Sequence, residues 1–386
     1  MQINKTYYLL FVLGFILNSC VERYFPDTET NFTSKIVIEG TITTEDEDQQ
    51  IVVSMSSSVA EPEFVPVSGC EVYVEDEDGN KFTFSEGNAG YYNGRIPDSN
   101  IVIGMSYRLY VKTPDGDEYR SKYEELMPCP DVDSIYTEVT SKETTDPDVD
   151  EDGLQFYVDL KADDTYGRFY RFGLIETYEY HADFPLDKWV SVDNVYTDLV
   201  TPDYSNQVCY VTDSLASIYV LSTDGFSQNS YSGFELHFVN DHTQRLLYKY
   251  SLLLKQYSMT ESAYSFWKNL KENNQESVDL FGRQPASVKG NVYNINDTTE
   301  YTLGYFGVSA VRTKRVMVYP DPSFTFSEVF HCKPVIPDPP IIDRPIYYAV
   351  GIDETTGESY TGIVGEECIF CQTTGGTTEK PSYWDE

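Results

Sequence analysis

From Ser34 onward, short runs in which apolar and polar residues alternate are separated by turns rich in glycine, asparagine and aspartate. Alternation places successive side chains on opposite faces, the period of a half-buried strand. Ile36-Val37-Ile38-Glu39-Gly40, Ile51-Val52-Val53-Ser54-Met55 and Cys70-Glu71-Val72-Tyr73-Val74 are runs of this kind. Glu77-Asp78-Gly79-Asn80 reads as the hairpin turn before Lys81-Phe82-Thr83-Phe84, because Asp-Gly admits the positive φ angles of tight turns. Gly90-Tyr91-Tyr92 begins another strand, and Tyr107–Val111 and Glu118–Ser121 flank a further turn at Pro114–Asp117. With no helical period and about seven short strands, residues 35–132 predict an immunoglobulin-like β-sandwich.

Residues 133–332 predict a larger β-rich domain with one helix. Leu154–Lys161, Phe169–Tyr180 and residues 216–222 and 232–240 continue the strand pattern. Arg245–Tyr257 reads as a strand, since Tyr248, Tyr250, Leu252 and Leu254 alternate with Lys249, Ser251 and Lys255. An amphipathic helix is predicted over about 258–273. Ser258-Met259-Thr260-Glu261 has the form of a capping box, and Ala263, Phe266, Trp267 and Leu270 follow at helical spacing. Gly304–Val308 and Lys314–Val318 read as a late pair of strands. Residues 333–386 form a Pro/Gly-rich segment that carries a CxxC motif and is expected to pack on the second domain.

The first residues break this pattern. Lys5 precedes an apolar run from Tyr7 to Leu17, too short to span a bilayer, that ends on Leu17-Asn18-Ser19-Cys20. Residues 1–19 resemble a bacterial lipoprotein signal peptide, which implies cleavage before Cys20 and acylation of that cysteine. Residues 20–34 then form the lipid anchor and a polar tether. Composition supports a packed core, with 40% hydrophobic residues and 33 tyrosines suited to half-wet sheet faces. The formal charge of −36 argues against nucleic acid as a partner. Beyond Cys20, the six cysteines Cys70, Cys129, Cys209, Cys332, Cys368 and Cys371 are an even set, which in an exported chain predicts disulfides. A bridge from Cys70 to Cys129 is expected within the first sandwich, and at least one of Cys368 and Cys371 is expected to reach a distant partner.

Several pieces together resemble the domain of unknown function 4249 family of Bacteroidota outer-membrane lipoproteins. They are Cys20, Val37-Ile38-Glu39-Gly40, Ser68–Val74 followed by Asp78-Gly79, Tyr250–Trp267 and Gly304-Tyr305-Phe306. The tail is the most specific match: Cys368-x-x-Cys371, Gly375-Gly376, Lys380-Pro381 and Trp384. The resemblance extends over nearly the whole mature chain. It implies a β-rich fold with an N-terminal sandwich and genomic neighbours that are TonB-dependent transporters. It carries no catalytic residues.

Candidate chemistry is sparse. Asp148-Val149-Asp150-Glu151-Asp152-Gly153 opens like an EF-hand loop, with Asp148, Asp150 and Asp152 at the first, third and fifth positions. The twelfth position is Asp159 rather than the bidentate Glu, so the alternatives are a weak calcium site and a solvated acidic loop. His331-Cys332 with Cys368 and Cys371 offers a Cys₃His zinc set, and CxxC a redox pair, as alternatives to structural disulfides. Asp133-Ser134-Ile135, Asp213-Ser214-Leu215 and Asp297-Thr298-Thr299 resemble the O-glycosylation acceptor motif of Bacteroidota exported proteins. The expectation is a non-enzymatic protein without cofactor, lipid-anchored at the cell-surface side of the outer membrane. It would capture a ligand for a TonB-dependent transporter or dock on it. The alternatives are an envelope structural or adhesive glycan-binding protein and a hydrolase with an unrecognised carboxylate site.

Overall fold

The computed structural model describes residues 33–45, 47–58, 62–143, 150–276, 288–297, 299–326, 329, 331–338 and 343–385. In chain order the first strands are β1 (Ile36–Thr43), β2 (Gln49–Met55), β3 (Val65–Pro66), β4 (Glu71–Asp76), β5 (Lys81–Glu86) and β6 (Tyr91–Gly94). They are followed by β7 (Ser106–Lys112), β8 (Glu118–Ser121), β9 (Glu124–Glu125), β10 (Ser134–Glu143), β11 (Asp150–Lys161) and β12 (Phe169–His181). Next come β13 (Leu186–Val190), β14 (Tyr196–Asp203), β15 (Val208–Ser222), β16 (Ser230–Asn240), β17 (Tyr250–Met259) and the helix α1 (Glu261–Glu276). The last are β18 (Val292–Asn294), β19 (Phe306–Ser309), β20 (Val311–Val318), β21 (Ile346–Ile352) and β22 (Ser359–Val364). The chain is mainly β, as its alternation predicts.

The first sheet runs β18-β8-β7-β4-β5-β6-β2-β1-β19 and doubles back so that its halves share one core. Ile36, Ile38, Ile42, Ile51 and Val53 from one half meet Val72, Val74, Tyr107, Leu109 and Val111 from the other. Two strands of this sandwich come from late in the sequence. β18 pairs antiparallel with β8, and β19 pairs parallel with β1, aligning Gly40 with Phe306. The expected boundary at residue 132 therefore does not separate the first sandwich from everything that follows.

A second sandwich packs the sheet β10-β11-β16 on the sheet β15-β12-β17-β20. Leu154, Phe156, Val158 and Leu160 on β11 face Tyr170, Phe172 and Leu174 on β12 and Leu252 and Leu254 on β17. Helix α1 lies on the outer face of the four-stranded sheet, burying Ala263 against Val220 and Met259. Three sequence expectations change here. The helix begins at Glu261, because β17 alternation carries the strand through Ser258 and Met259. Ser258 donates to the Met127 carbonyl at 2.6 Å, and Thr260 supplies the cap, its hydroxyl accepting from the Ala263 amide at 3.2 Å. The expected strand from Arg245 starts only at Tyr250, since Gln244–Leu246 turns as a short 3₁₀ segment that buries Leu246. Finally, the two late strands do not pair with each other. β19 and β20 form one extended run crossing at Ala310, the first half in the first sandwich and the second half beside β17.

A fourth sheet, β14-β13-β21-β22, is assembled from residues 186–203 and 346–364. Among the described residues, no helix is long and apolar enough to cross a membrane.

Candidate binding surface

The fourth sheet has two unlike faces. On β21, Tyr347, Ala349 and Gly351 alternate with Tyr348, Val350 and Ile352. The first set turns inward, where Tyr347 and Ala349 pack with Val364, Cys368, Ile369 and Phe370. The second set faces solvent, with Val350 53% and Ile352 70% exposed. In register across the sheet, Val190 lies opposite Tyr196, and Lys188 lies between Asp198 and Tyr348. The Tyr196 and Tyr348 rings meet edge-on at 6.5 Å. Of the large apolar side chains exposed among the described residues, half fall within 192–204 and 335–352. Scattered exposed apolar residues need no explanation, but their concentration in the two segments that build this sheet sets it apart.

This face is held rigidly from behind. Two 3₁₀ turns, Glu366–Cys368 and Cys371–Thr374, follow β22 and carry both cysteines of the CxxC motif. Cys368 is bridged to Cys332 and Cys371 to Cys209, with Cα separations of 5.9 and 5.5 Å. The second bridge ties the small sheet's support to β15 of the second sandwich. The tail then runs back over the four-stranded sheet. Trp384 is buried against Tyr210, its indole N–H donating to Glu179 at 3.1 Å. Its carbonyl accepts from Lys249. Beside it, Tyr383 shares a 3.0 Å hydrogen bond with Thr177 and lies 3.5 Å under the Arg315 guanidinium.

The expected cysteine chemistry is borne out in four residues and corrected in two. Cys209, Cys332, Cys368 and Cys371 are oxidised to distant partners, which rules out the zinc set and the CxxC redox pair in this state. Cys70 and Cys129 are both free, so the Cys70–Cys129 bridge is not formed. Cys70 sits against Val67 and its amide binds the Tyr92 hydroxyl. Cys129 instead points its Sγ at the Gln256 carbonyl of β17, 3.3 Å away. Burial pushes the Cys129 thiol up to about 11.

Cys20 and Asp148 lie outside the described residues. Asp150 and Asp152 stand on β11, opposite Glu143 and Ser141. The chain is extended from Asp150 through Asp159, so Asp150 and Asp152 do not stand on the wrapped loop of an EF-hand. Among the described residues no group of three or more His, Cys, Asp or Glu is arranged to hold a metal. His331 pairs with Asp183 at 3.1 Å. Of the acceptor-like motifs, Ser214 is exposed on β15, the Ser134 hydroxyl is bound to Asp159 at 2.7 Å, and Thr298 is outside the described residues.

One buried polar cluster escaped the sequence reading, because its members come from three strands and a turn. Glu176 on β12 accepts a 2.7 Å hydrogen bond from Tyr250 and two 3.4 Å contacts from Arg245. His237 on β16 places Nε2 3.8 Å from the same carboxylate. Burial, aided by Arg245, drives His237 down to about 4, so the ring is neutral. A glycosidase needs two carboxyl groups facing across a cavity. This cluster offers a single carboxylate already compensated by a guanidinium and a phenol, an arrangement suited to fastening β12, β16 and β17 together.

No curated protein matches the chain. A family profile does match, over residues 21–315. The match stops inside β20, so the bridged CxxC and the docked Trp384, which weigh heavily in the resemblance, lie beyond it. Since the matched span covers well over half of the sequence, the chain belongs to the family described as Domain of unknown function (DUF4249).

Proposed function

We propose that this protein is a non-enzymatic, lipid-anchored accessory protein of the outer membrane of a Bacteroidota cell. It captures a ligand for a TonB-dependent transporter or docks on that transporter. The observation that carries the reading is the solvent-facing Tyr196, Tyr348, Val350 and Ile352 surface, braced by two disulfides. A rigid apolar face with aromatic side chains has the makeup of an interface core, and preorganisation limits what is lost on binding. The apolar run ending at Cys20 supports the anchor. Confinement to one membrane raises the effective concentration of any co-resident partner.

The test is affinity purification from membranes in mild detergent, with partners identified by mass spectrometry. A transporter is expected with the wild-type protein and is expected to be lost with Val350→Glu/Ile352→Glu, which puts charge on the face without touching the core. Labelling cells with an alkyne fatty acid checks the anchor, and signal is expected for wild type but not for Cys20→Ala. Equal recovery of every partner with the charged variant would remove the sheet face from the reading.

A further inference from the structure

Helix α1 lies between two sheets. One flank packs on β12 and β15, and the other faces the outer surface of β1 and β2 in the first sandwich. A cleft of about 270 Å³ remains on this second flank. Phe266, Trp267 and Leu270 line it from the helix, and Glu39, Thr41 and Val52 line it from β1 and β2. The Phe266 ring stacks on Tyr305 at 4.8 Å and meets Trp267 edge-on at 5.7 Å.

Glu39 is the anomaly of this site. Among the described residues its carboxylate has no hydrogen bond and no ion pair. Glu39 is an exposed residue on the outer face of β1, yet the protein around it raises its pKa by desolvation, and no charged group contributes to that shift. The buried carboxylates are matched: Glu124 is bound by Thr260, Tyr305 and Asn291, and Glu176 by Arg245 and Tyr250. Arg171 is also accounted for, stacked between Tyr257 at 4.2 Å and Trp267 at 4.6 Å, and it is not among the residues lining the cleft.

We propose that this cleft binds a small alkylammonium group, with the cation on the Glu39 carboxylate and the hydrocarbon against Phe266, Leu270 and Val52. A carboxylate partly removed from water gains most from a cation that arrives with its own apolar stem. Aromatic rings attract the same charge. The volume falls just below the usual range for drug-sized ligands, which suits an amine and excludes a nucleotide or an oligosaccharide. The net charge of −36 enriches cations at the surface and disfavours anions. This site is distinct from the exposed face of the fourth sheet and does not rest on the docking reading.

The group could arrive as a free amine or as a lysine side chain of another protein, so the test has two arms. Binding of n-butylammonium and of the capped peptide acetyl-Gly-Lys-Gly-amide is measured by calorimetry with the full mature chain at low ionic strength. Saturable binding is expected for at least one of them. Preference for the amine assigns a free ligand, and preference for the peptide assigns a partner's lysine. Butyrate is expected not to bind, and n-butanol to bind at least about tenfold more weakly than n-butylammonium. Glu39→Gln is expected to cost about tenfold or more, and affinity in wild type should fall as acid protonates Glu39. Thr41→Trp, which fills the cleft, should abolish binding. Unchanged affinity in Glu39→Gln, equal affinity for butanol, or no saturable binding of either ammonium probe would each overturn the proposal.

Discussion

At the scale of single residues, His237 gives the most direct prediction. Its ring stays neutral in the folded protein down to about pH 4, whereas an unfolded histidine takes its proton near 6.5. Between those values the unfolded state binds more protons, so stability that is present above pH 6.5 is lost as the pH falls towards 4. The ring is mostly but not wholly enclosed, and the expected loss is about 2 kcal/mol. Urea unfolding at several pH values should show it, and His237→Gln should flatten that part of the profile. Parity of the cysteine count correctly announced disulfides for Cys209, Cys332, Cys368 and Cys371. It could not exclude Cys70 and Cys129, whose thiols are drawn to Val67 and Gln256, because a count carries no direction for a side chain. The Glu176–Arg245–His237 cluster was equally invisible, since no local spacing relates residues from two separate strands and a turn.

At the scale of elements, the alternating pattern located most strands, including β1, β2, β4, β5, β11 and β12. It erred where two periods overlapped. Ser258 suits a helix cap by type, but Leu252, Leu254, Gln256 and Ser258 all lie on the buried side of β17, and burial kept the strand going. The cap passed to Thr260, which also donates to Glu124 at 2.5 Å. Thr260→Ala removes both bonds and strips a buried carboxylate of one of its donors. The expected cost is about 2 kcal/mol, above the roughly 1 kcal/mol of a simple cap. Thermal unfolding measures it, and Thr260→Ser should recover most of the loss. The helix is tied through this contact to both sandwiches, so the variant should also loosen the Glu39 cleft.

At the scale of the whole molecule, the two disulfides and the docked tail act as one assembly. Denaturation without reductant should expose the thiols of Cys70 and Cys129, and with Cys20 replaced by alanine thiol titration should count two. The bridges are expected to contribute roughly 2–4 kcal/mol each. Reduction should lower the melting temperature and expose the segment after Thr374 to proteases, while the first sandwich stays folded. The mainly β class, with a β-rich region on either side of residue 132, was legible because alternation is a local signal. The contributions of β18 and β19 to the first sandwich were not, because pairing between residues 40 and 306 leaves no trace in the intervening sequence.

That long-range pairing also sets an order of events. During synthesis the N-terminal strands emerge first, yet β1 cannot be covered until Phe306–Ser309 has followed. Its outer edge, a row of amides and carbonyls ready to pair, stays open through most of the chain's passage. Non-local parallel pairing is slow, and an unpaired edge invites association with other chains. A shortened chain ending at residue 132 should therefore aggregate rather than behave as an autonomous domain. For this protein the first strand of the fold is completed only late in the chain's synthesis.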